Sequence, residues 1–242
     1  MSDEKTIFLY GDGIGSVSLV DYMGSDITVV NSARVSFGVE KFELDRKDKR
    51  LINYLIKHRH TSTLEHNLVT FKFVVPLFVR SQHHRHRTWS YNEISRRYTD
   101  KDLQFYLPKS FRTQHESNRQ ASNEEILINP PITLSHRGLP LEGAYIETSD
   151  AVAAFKDDAV SLYNLMLSKG VCREQARMVL PQNLYTEYYG TVNLNNLLKF
   201  IDLRTHEGAQ WEIQKVAEAC LGIAADLFPV TVNAYRKVRD AS

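Results

Sequence analysis

The pattern of hydrophobic and polar positions predicts alternating strands and helices along most of the chain. Residues 45–58 place Leu51, Ile52, Leu55 and Ile56 on one helical face. Residues 69–75 alternate apolar and polar side chains and predict a strand that ends at Pro76, which is well placed to begin a helix over residues 77–86. The same reasoning predicts a strand over residues 185–192 and helices over residues 150–170, 173–179, 194–201 and 213–227.

Residues 109–148 break this pattern. They are rich in Ser, Asn, Gln, Pro and Gly without a sustained period, which predicts a long loop or arm. The flanking segments have the same character as each other. We therefore predict an α+β fold, with a mixed or antiparallel sheet and packed helices, in one domain over residues 1–242 with an inserted arm at 109–148.

The N-terminal segment resembles a dinucleotide-binding turn only in part. Residues 6–10 predict a short buried strand, and Gly11, Gly13 and Gly15 follow it. Ser16 then stands where the fingerprint requires a residue that closes the turn onto a helix, and the next residues are β-branched. We interpret the glycines as a plain turn.

Composition excludes several classes of protein. The chain has 242 residues, 43% of them hydrophobic, and a net charge of +1, so no general attraction to nucleic acid or to an anionic membrane is expected. Two cysteines form neither a disulfide framework nor a cysteine-only zinc site. Residues 73–79 are the longest apolar run, too short to cross a membrane. We expect a soluble cytoplasmic protein.

Local charge is concentrated in residues 80–98. This segment contains five arginines and a single carboxylate, Glu93. The planar guanidinium donates paired hydrogen bonds to phosphate oxygens, so a phosphate-binding surface is expected. On a helix over residues 77–86, Gln82, Arg85 and His86 would share one face.

Three other interpretations of the segment stay open. It resembles a solvated basic loop on charge alone. With Trp89, Tyr91 and Tyr98 interleaved it also resembles a single-strand RNA surface. A zinc site from its three histidines is the weakest of these, because adjacent histidines diverge on a helix and no nearby cysteine completes the ligands.

The spelling of residues 85–98, RHRTWSYNEISRRY, matches R-H-R-x-x-S-x-N-x-x-S-x-R-Y at every specified position. That pattern is the signature of flavin-dependent thymidylate synthases, and the chain resembles this family elsewhere too. The further matching segments are residues 31–36 (NSARVS), 60–66 (HTSTLEH), 176–181 (ARMVLP), 203–204 (LR) and 209–212 (AQWE).

The resemblance implies the fold of that family, an FAD cofactor and conversion of dUMP to dTMP. It also implies 5,10-methylenetetrahydrofolate as one-carbon donor, NADPH as reductant, no metal, and a homotetramer with shared active sites. Residues implied to contact FAD are Ser62, Arg85, His86, Arg87, Glu93, Asn193 and Lys199. Residues implied to contact dUMP are Gln82, Arg85, Glu93, Ser95, Arg97, Arg177 and Arg204.

Arg204 is the strongest candidate for a catalytic residue, and the resemblance adds His60 near the flavin and folate. Arg204 follows Leu197 by seven residues, so a partly desolvated guanidinium is expected on an apolar helix face. The family assigns the matching arginine to the uracil ring, where positive charge stabilises the electron-rich form.

No cysteine nucleophile is required under this interpretation. Cys220 lies on the apolar stripe of its helix and is expected to be a core residue, whereas Cys172 stands near a helix start beside Arg173. The chain departs from the family pattern at Asn193, Asn195 and Lys199, so flavin contacts from Asn195 and Lys199 are weaker expectations.

Overall fold

The computed structural model describes residues 5–99, 102–136 and 139–241. Its elements in chain order are β1 (Thr6–Phe8), β2 (Ser16–Met23), α1 (Asp26–Arg34), α2 (Arg46–Lys57), β3 (Leu68–Pro76), α3 (Leu77–His83), β4 (Ser90–Glu93), β5 (Phe111–Gln114), β6 (Ser122–Ile128), β7 (Pro131–His136), β8 (Leu139–Glu147), α4 (Thr148–Ser168), α5 (Arg173–Ala176), β9 (Tyr185–Asn193), α6 (Leu194–Arg204), α7 (Trp211–Leu227) and α8 (Pro229–Arg239). Short 3-10 helices cover Val35–Phe37, Thr61–Leu64 and Arg177–Val179.

The sheets and helices confirm the α+β prediction. Five strands form one sheet in the order β1-β2-β3-β9-β4, and the β1/β2 and β2/β3 pairs are antiparallel. By its contacts the chain divides into two compact units. The first contains the chain up to Val74, residues 82–92 and the chain from Glu187; the second contains residues 75–81 and 93–186. The single domain over residues 1–242 stays a prediction.

The first unit is built from most of the five-stranded sheet and the helices that pack with it. Helix α7 packs on β2 and on α6, and α2 packs on α8. Asp45 caps α2 by accepting from the backbone N–H groups of Lys47 and Asp48, at 2.6 and 2.9 Å. The buried Asp26 at the start of α1 accepts hydrogen bonds from the first turn of α8. These hydrogen bonds fix the first turns of α2 and α8.

The second unit contains two hairpins, β5/β6 and β7/β8, and the helices α4 and α5. Its apolar core contains Tyr163, Ala176, Leu180 and Leu184. The prediction that residues 109–148 lack regular structure is wrong, because most of this segment is paired strand. The inserted arm stays a prediction. Residues 137 and 138 of it lie outside the described part.

Other boundaries also differ from the predictions. The first strand is not buried, since Phe8 is 62% exposed. Strand β3 ends at Pro76, as predicted, but α3 begins at Leu77 and ends at His83 rather than continuing to 86. Pro229 ends α7, as predicted, but it is also the first residue of a further helix, α8. Within the described residues no helix has the length and apolar character that a membrane span requires.

Candidate active site

Arg204 is held at the C-terminal end of α6 by two hydrogen bonds. One apolar face of α6, which includes Leu197 and Ile201, is buried and packs the helix onto the protein. The Nε of Arg204 donates to Nε2 of His86 at 3.0 Å, and its Nη2 donates to the main-chain oxygen of Gln82 at 3.3 Å. The guanidinium therefore has a fixed direction within the first unit.

His86 accepts from Arg204 and is a neutral imidazole. A ring nitrogen that accepts a hydrogen bond carries no proton, so Nε2 of His86 is unprotonated. Burial and, to a smaller extent, the charge of Arg204 together lower the pKa of His86 to about 4. Burial also lowers the pKa of Arg204, and the nearby charge of Arg85 contributes. Arg204 is therefore the partly desolvated arginine that the sequence predicts.

The turn that carries Arg85 and His86 is fastened by Tyr91. Helix α3 ends at His83, so the prediction that Gln82, Arg85 and His86 share one helix face is wrong. Instead, the backbone N–H of His86 donates to the oxygen of His83 at 2.9 Å. The Tyr91 hydroxyl donates a shared hydrogen bond to the carbonyl oxygens of His83 and His86, which lie 3.0 and 3.1 Å from it.

His83 itself belongs to the core. It is fully buried, its ring packs against Phe73, Trp89 and Phe200, and its Nδ1 lies 2.8 Å from the hydroxyl of Tyr188. Burial lowers its pKa well below the usual value. Across the described ranges no three histidine, cysteine or acidic side chains come together as metal ligands.

A chain of amides continues from this turn. The side-chain N–H of Gln82 donates to Oε1 of Gln210, and Nε2 of Gln210 donates to Glu212 at 2.8 Å. Glu212 is buried, so the chain of hydrogen bonds reaches a carboxylate inside the first unit. The resemblance predicts Gln82 as a substrate contact. In the sequence, only the match of residues 209–212 to the family pattern indicates Gln210 and Glu212.

A cavity of about 440 Å³ in the first unit collects several of the predicted flavin and folate residues. His60 and Lys199 line it, together with Asn195, whose Nδ2 donates to Glu65 at 3.1 Å. His60 is exposed and stacks on Tyr54 with ring centroids 5.8 Å apart. The buried side chain of Asn195 is therefore fixed by a partly buried hydrogen bond, whereas the side chains of His60 and Lys199 are exposed.

Of the seven predicted flavin contacts, only Lys199 lines this cavity. Ser62 is exposed in the 3-10 helix Thr61–Leu64. Asn193 caps α6, where its Oδ1 accepts from the backbone N–H of Asn196 at 2.9 Å, as its position before the helix predicts. Arg87 is exposed, as is Arg85. Within the described chain neither of these two guanidiniums pairs with a carboxylate.

A second cavity, of about 280 Å³, lies in the second unit and brings together Glu93, Ser95 and Arg177. Glu93 accepts from Nε of Arg80 at 3.1 Å and from the hydroxyl of Thr186 at 2.7 Å. Arg177 is oriented by a hydrogen bond from its Nε to the main-chain oxygen of Glu174 at 3.2 Å. The sequence prediction missed Arg80 and Thr186, which only the folded chain places against Glu93.

Arg96 and Arg97 occupy different places. Arg96 lines the second cavity, and burial lowers its pKa. Arg97, which the resemblance assigns to dUMP, is exposed; it donates from Nε to Oγ of Ser95 at 3.4 Å and from Nη2 to the hydroxyl of Tyr98 at 3.1 Å. The charge cluster of residues 80–98 marks both arginines as candidate ligands of an anion. The sequence does not show that Arg96 is partly buried and Arg97 is exposed.

The two cysteines differ in environment. Cys220 is fully buried in α7, and burial raises the pKa of its thiol. This confirms the prediction that it is a core residue. Cys172 is exposed at the start of α5, with its Sγ 3.8 Å from Oε1 of Gln175.

Comparison with known proteins assigns the chain to one family. The family described as "Thymidylate synthase complementing protein" matches residues 18–230. A flavin-dependent thymidylate synthase of Thermus thermophilus is 42% identical over 225 residues, which cover 92% of this chain and 76% of the relative. Its counterpart from Thermotoga neapolitana is 37% identical over 223 residues, covering 92% and 91%.

A solved structure shares the fold of this chain. The UMP/dUMP methylase PolB from Streptomyces cacaoi, bound with 5-Br dUMP, is 32% identical, with a TM-score of 0.76 over 96% of this chain and 97% of that one. The same protein bound with 5-Br UMP gives a TM-score of 0.72. From its arginine-bearing turn, its fold and these matches, the chain belongs to the family of flavin-dependent thymidylate synthases.

Proposed function

We propose that the protein methylates C5 of dUMP to form dTMP as an FAD-dependent enzyme. We further propose that 5,10-methylenetetrahydrofolate supplies the carbon and NADPH the reducing equivalents. The hydrogen bond from Arg204 to the neutral His86 carries the proposal, because it places a partly desolvated positive charge in the segment that matches the family signature. The names of the relatives and of the solved methylase support the choice of nucleotide and flavin.

Arg204 is proposed to act on the uracil ring. Negative charge develops on the ring oxygens and N3 when C5 becomes nucleophilic, and a fixed guanidinium stabilises that charge without reorganising. His86 keeps the guanidinium in place and, being neutral, adds no competing positive charge. Arg85 contributes a second positive charge close enough to lower the pKa of Arg204. His60, at the wall of the first unit's cavity, is proposed as an aromatic neighbour of the reacting rings.

The residues of the first unit fit an FAD group. Arg85 and Arg87 are exposed guanidiniums suited to a pyrophosphate. The cavity combines apolar side chains such as Leu64 and Leu198 with the polar Asn195 and Lys199, which suits a flavin ring. Ser62 and Asn193 are proposed as further contacts. When bound, FAD supplies a two-electron carrier that no side chain of the chain provides.

The cavity of the second unit is proposed to bind the phosphate and sugar of a nucleotide. Arg177 is oriented by Glu174 and suits phosphate oxygens, and the hydroxyl of Ser95 is a neutral donor. The Glu93 carboxylate, held by Arg80 and Thr186, has lone pairs left for a sugar hydroxyl. Gln82 and Arg97 are proposed as additional contacts to dUMP.

No thiol is assigned a role in the reaction. The buried Cys220 has a raised pKa and is surrounded by the core of α7, so it is neither ionised nor reachable. Cys172 is exposed, and among the described residues its thiol hydrogen-bonds to the Gln175 amide rather than to a histidine. The proposed reaction therefore proceeds without a covalent cysteine adduct.

Homotetramer formation is also proposed. The segment after α1 exposes Val35, Phe37 and Phe42 at 72, 81 and 85%. Apolar side chains this exposed in one short segment are typical of a surface that a partner covers. Light scattering after size-exclusion chromatography tests the proposal: four chains per particle support it, and a monomer contradicts it.

Methylation of UMP is a second candidate activity. The solved relative is described as a UMP/dUMP methylase and is seen with both brominated nucleotides. Supplying UMP in place of dUMP, under otherwise equal conditions, measures how strongly the enzyme discriminates at the 2′ position.

The test of the main proposal uses purified protein loaded with FAD. We expect a yellow protein whose flavin absorbance changes when dUMP is added, and formation of dTMP only when donor and NADPH are both present. A protein that takes up no FAD, or that binds FAD and forms no dTMP with either nucleotide, would contradict the proposed function.

A further inference from the structure

One end of the first unit's cavity is lined by residues that have not been assigned to the flavin. This end is formed by the C-terminal end of α2 and by α8, with Leu55, Tyr235 and Val238 as apolar wall. We call it the outer end. A flat, largely apolar group suits such a wall, because burial of apolar surface is its main source of affinity.

Cations dominate the charged groups of this cavity. Arg59, Lys199 and Arg239 line it, against Asp202 as the only carboxylate in its described lining. The carboxylate of Asp202 is already engaged, since it accepts from the hydroxyl of Tyr235 at 2.5 Å. The cavity wall therefore carries an excess of positive charge.

These cations are weakly paired within the chain. Arg239 approaches the exposed Asp240 at 3.5 Å from Nε. Over the residues that the structure describes, no carboxylate pairs with Arg59 or Lys199. The guanidiniums of Arg59 and Arg239, which line a partly apolar cavity, are suited to an anionic ligand. A carboxylate fits them in particular, because it accepts paired hydrogen bonds.

Arg59 occupies a backbone position that an arginine rarely takes. Its φ is +56°, and it follows the end of α2, where the N–H of His60 donates to the oxygen of Leu55 at 2.9 Å. Glycine is the ordinary residue at this place after a helix, since a Cβ is unfavourable at positive φ. A strained arginine at the edge of a cavity points to a use for its side chain.

We propose that Arg59 and Arg239 bind the glutamate carboxylates of the tetrahydrofolate donor, with its aminobenzoyl ring against the outer end. The inference rests on the proposed function, which requires a folate to enter this enzyme. An apolar wall with two guanidiniums matches an aromatic body that ends in two carboxylates. The same charges would also attract the phosphates of NADPH, so the experiment separates the two ligands.

The experiment compares Arg59→Gly, Arg59→Asn and Arg239→Ala with the wild-type protein, each loaded with FAD. Glycine and asparagine both tolerate the positive φ, so neither variant is expected to unfold. Binding of tetrahydrofolate monoglutamate, tetrahydrofolate triglutamate and NADPH is measured by calorimetry, without turnover, and the FAD content of each variant by flavin absorbance. Lys57→Ala is the matched control, because it removes a cation from the end of α2 that does not line the cavity.

We expect each of the three variants to weaken binding of both folates about tenfold, and the triglutamate to bind the wild-type protein more tightly than the monoglutamate. Arg59→Lys should retain most of the affinity. The melting temperature of Arg59→Gly should be equal to or above that of the wild type, so that lost folate binding cannot be attributed to lost stability. Lys57→Ala should bind like the wild type.

Three results would overturn the inference: unchanged folate affinity in Arg59→Gly and Arg239→Ala, an equal loss in Lys57→Ala, or a loss confined to NADPH or FAD. Because folate binding is measured directly, a wild-type protein that binds folate but forms no dTMP refutes the proposed function and leaves this inference standing.

Discussion

Arg204 donates a hydrogen bond from Nε to Nε2 of His86 across 3.0 Å, so a charged guanidinium is held by an imidazole that has no proton at that nitrogen. Protonation of His86 would replace this hydrogen bond with repulsion between two positive groups. The orientation of Arg204 therefore depends on the protonation state of His86.

The free energy of unfolding should fall as the pH falls from about 6.5 to about 4. In this interval His86 binds a proton in the unfolded chain, whose ordinary pKa is 6.5, but not in the folded chain, whose pKa is about 4. The unfolded state therefore gains protons first and is favoured. Buried His83, whose pKa is also lowered, acts in the same direction.

His86→Gln isolates the contribution of His86, since the glutamine oxygen can accept from Arg204 and does not titrate. Urea unfolding at a series of pH values should show a shallower dependence for this variant than for the wild type. Parallel curves for the two proteins would show that His86 is not held neutral by the fold.

Arg204→Ala should lower kcat by about 10²- to 10³-fold, which is the usual effect of removing one group that stabilises developing charge. FAD content should remain near that of the wild type. Product formation by chromatography and the flavin absorbance give the two readouts. Arg236→Ala on the exposed face of α8 is the control and should change neither. Wild-type turnover in Arg204→Ala would refute the proposed role.

Arg177→Ala should raise KM for dUMP by about tenfold to a hundredfold, because charge-assisted hydrogen bonds to phosphate contribute about 1.5–3 kcal/mol. Deoxyuridine, which has no phosphate, should be used equally poorly by variant and wild type. Lys169→Ala, an exposed cation beyond α4, serves as the comparison. An equal KM for dUMP in Arg177→Ala and the wild type would remove Arg177 from the phosphate site.

Asp26→Ala should destabilise the protein by about 2 kcal/mol. Asp26 is buried and accepts from the N–H groups of Val230 and Thr231, each at 2.9 Å, and from the hydroxyl of Thr231 at 2.6 Å. Its loss leaves helix donors unsatisfied in the interior. Urea unfolding measures the effect, and Asp21→Ala, which removes an exposed carboxylate, should change the free energy of unfolding by much less.

The sequence predicts those parts of the fold whose burial is periodic. Helix α6 and strand β3 each bury one regular set of side chains, so the spacing of Leu197 and Ile201, or of Phe71 and Phe73, is sufficient. The same regularity predicts the half-buried position of Arg204 before any contact is known.

The missed elements lack that regularity. Strand β6 exposes Ile126, Leu127 and Ile128 in succession, so no alternation signals it. Helix α8 follows α7 at Pro229, which as a helix breaker gives no sign that it also begins the next helix. Partners distant in sequence, such as Glu93 with Thr186, depend on the tertiary fold and cannot be obtained from spacing.

Tyr91 gives the arginine-bearing turn its shape while the chain folds. Because one hydroxyl ties the carbonyl oxygens of His83 and His86 together, the loop between them has little conformational freedom left to lose when a ligand arrives. Under the proposed function, a phosphorylated molecule would bind this turn as a preformed surface, because the conformational entropy of the loop is already lost when the chain folds.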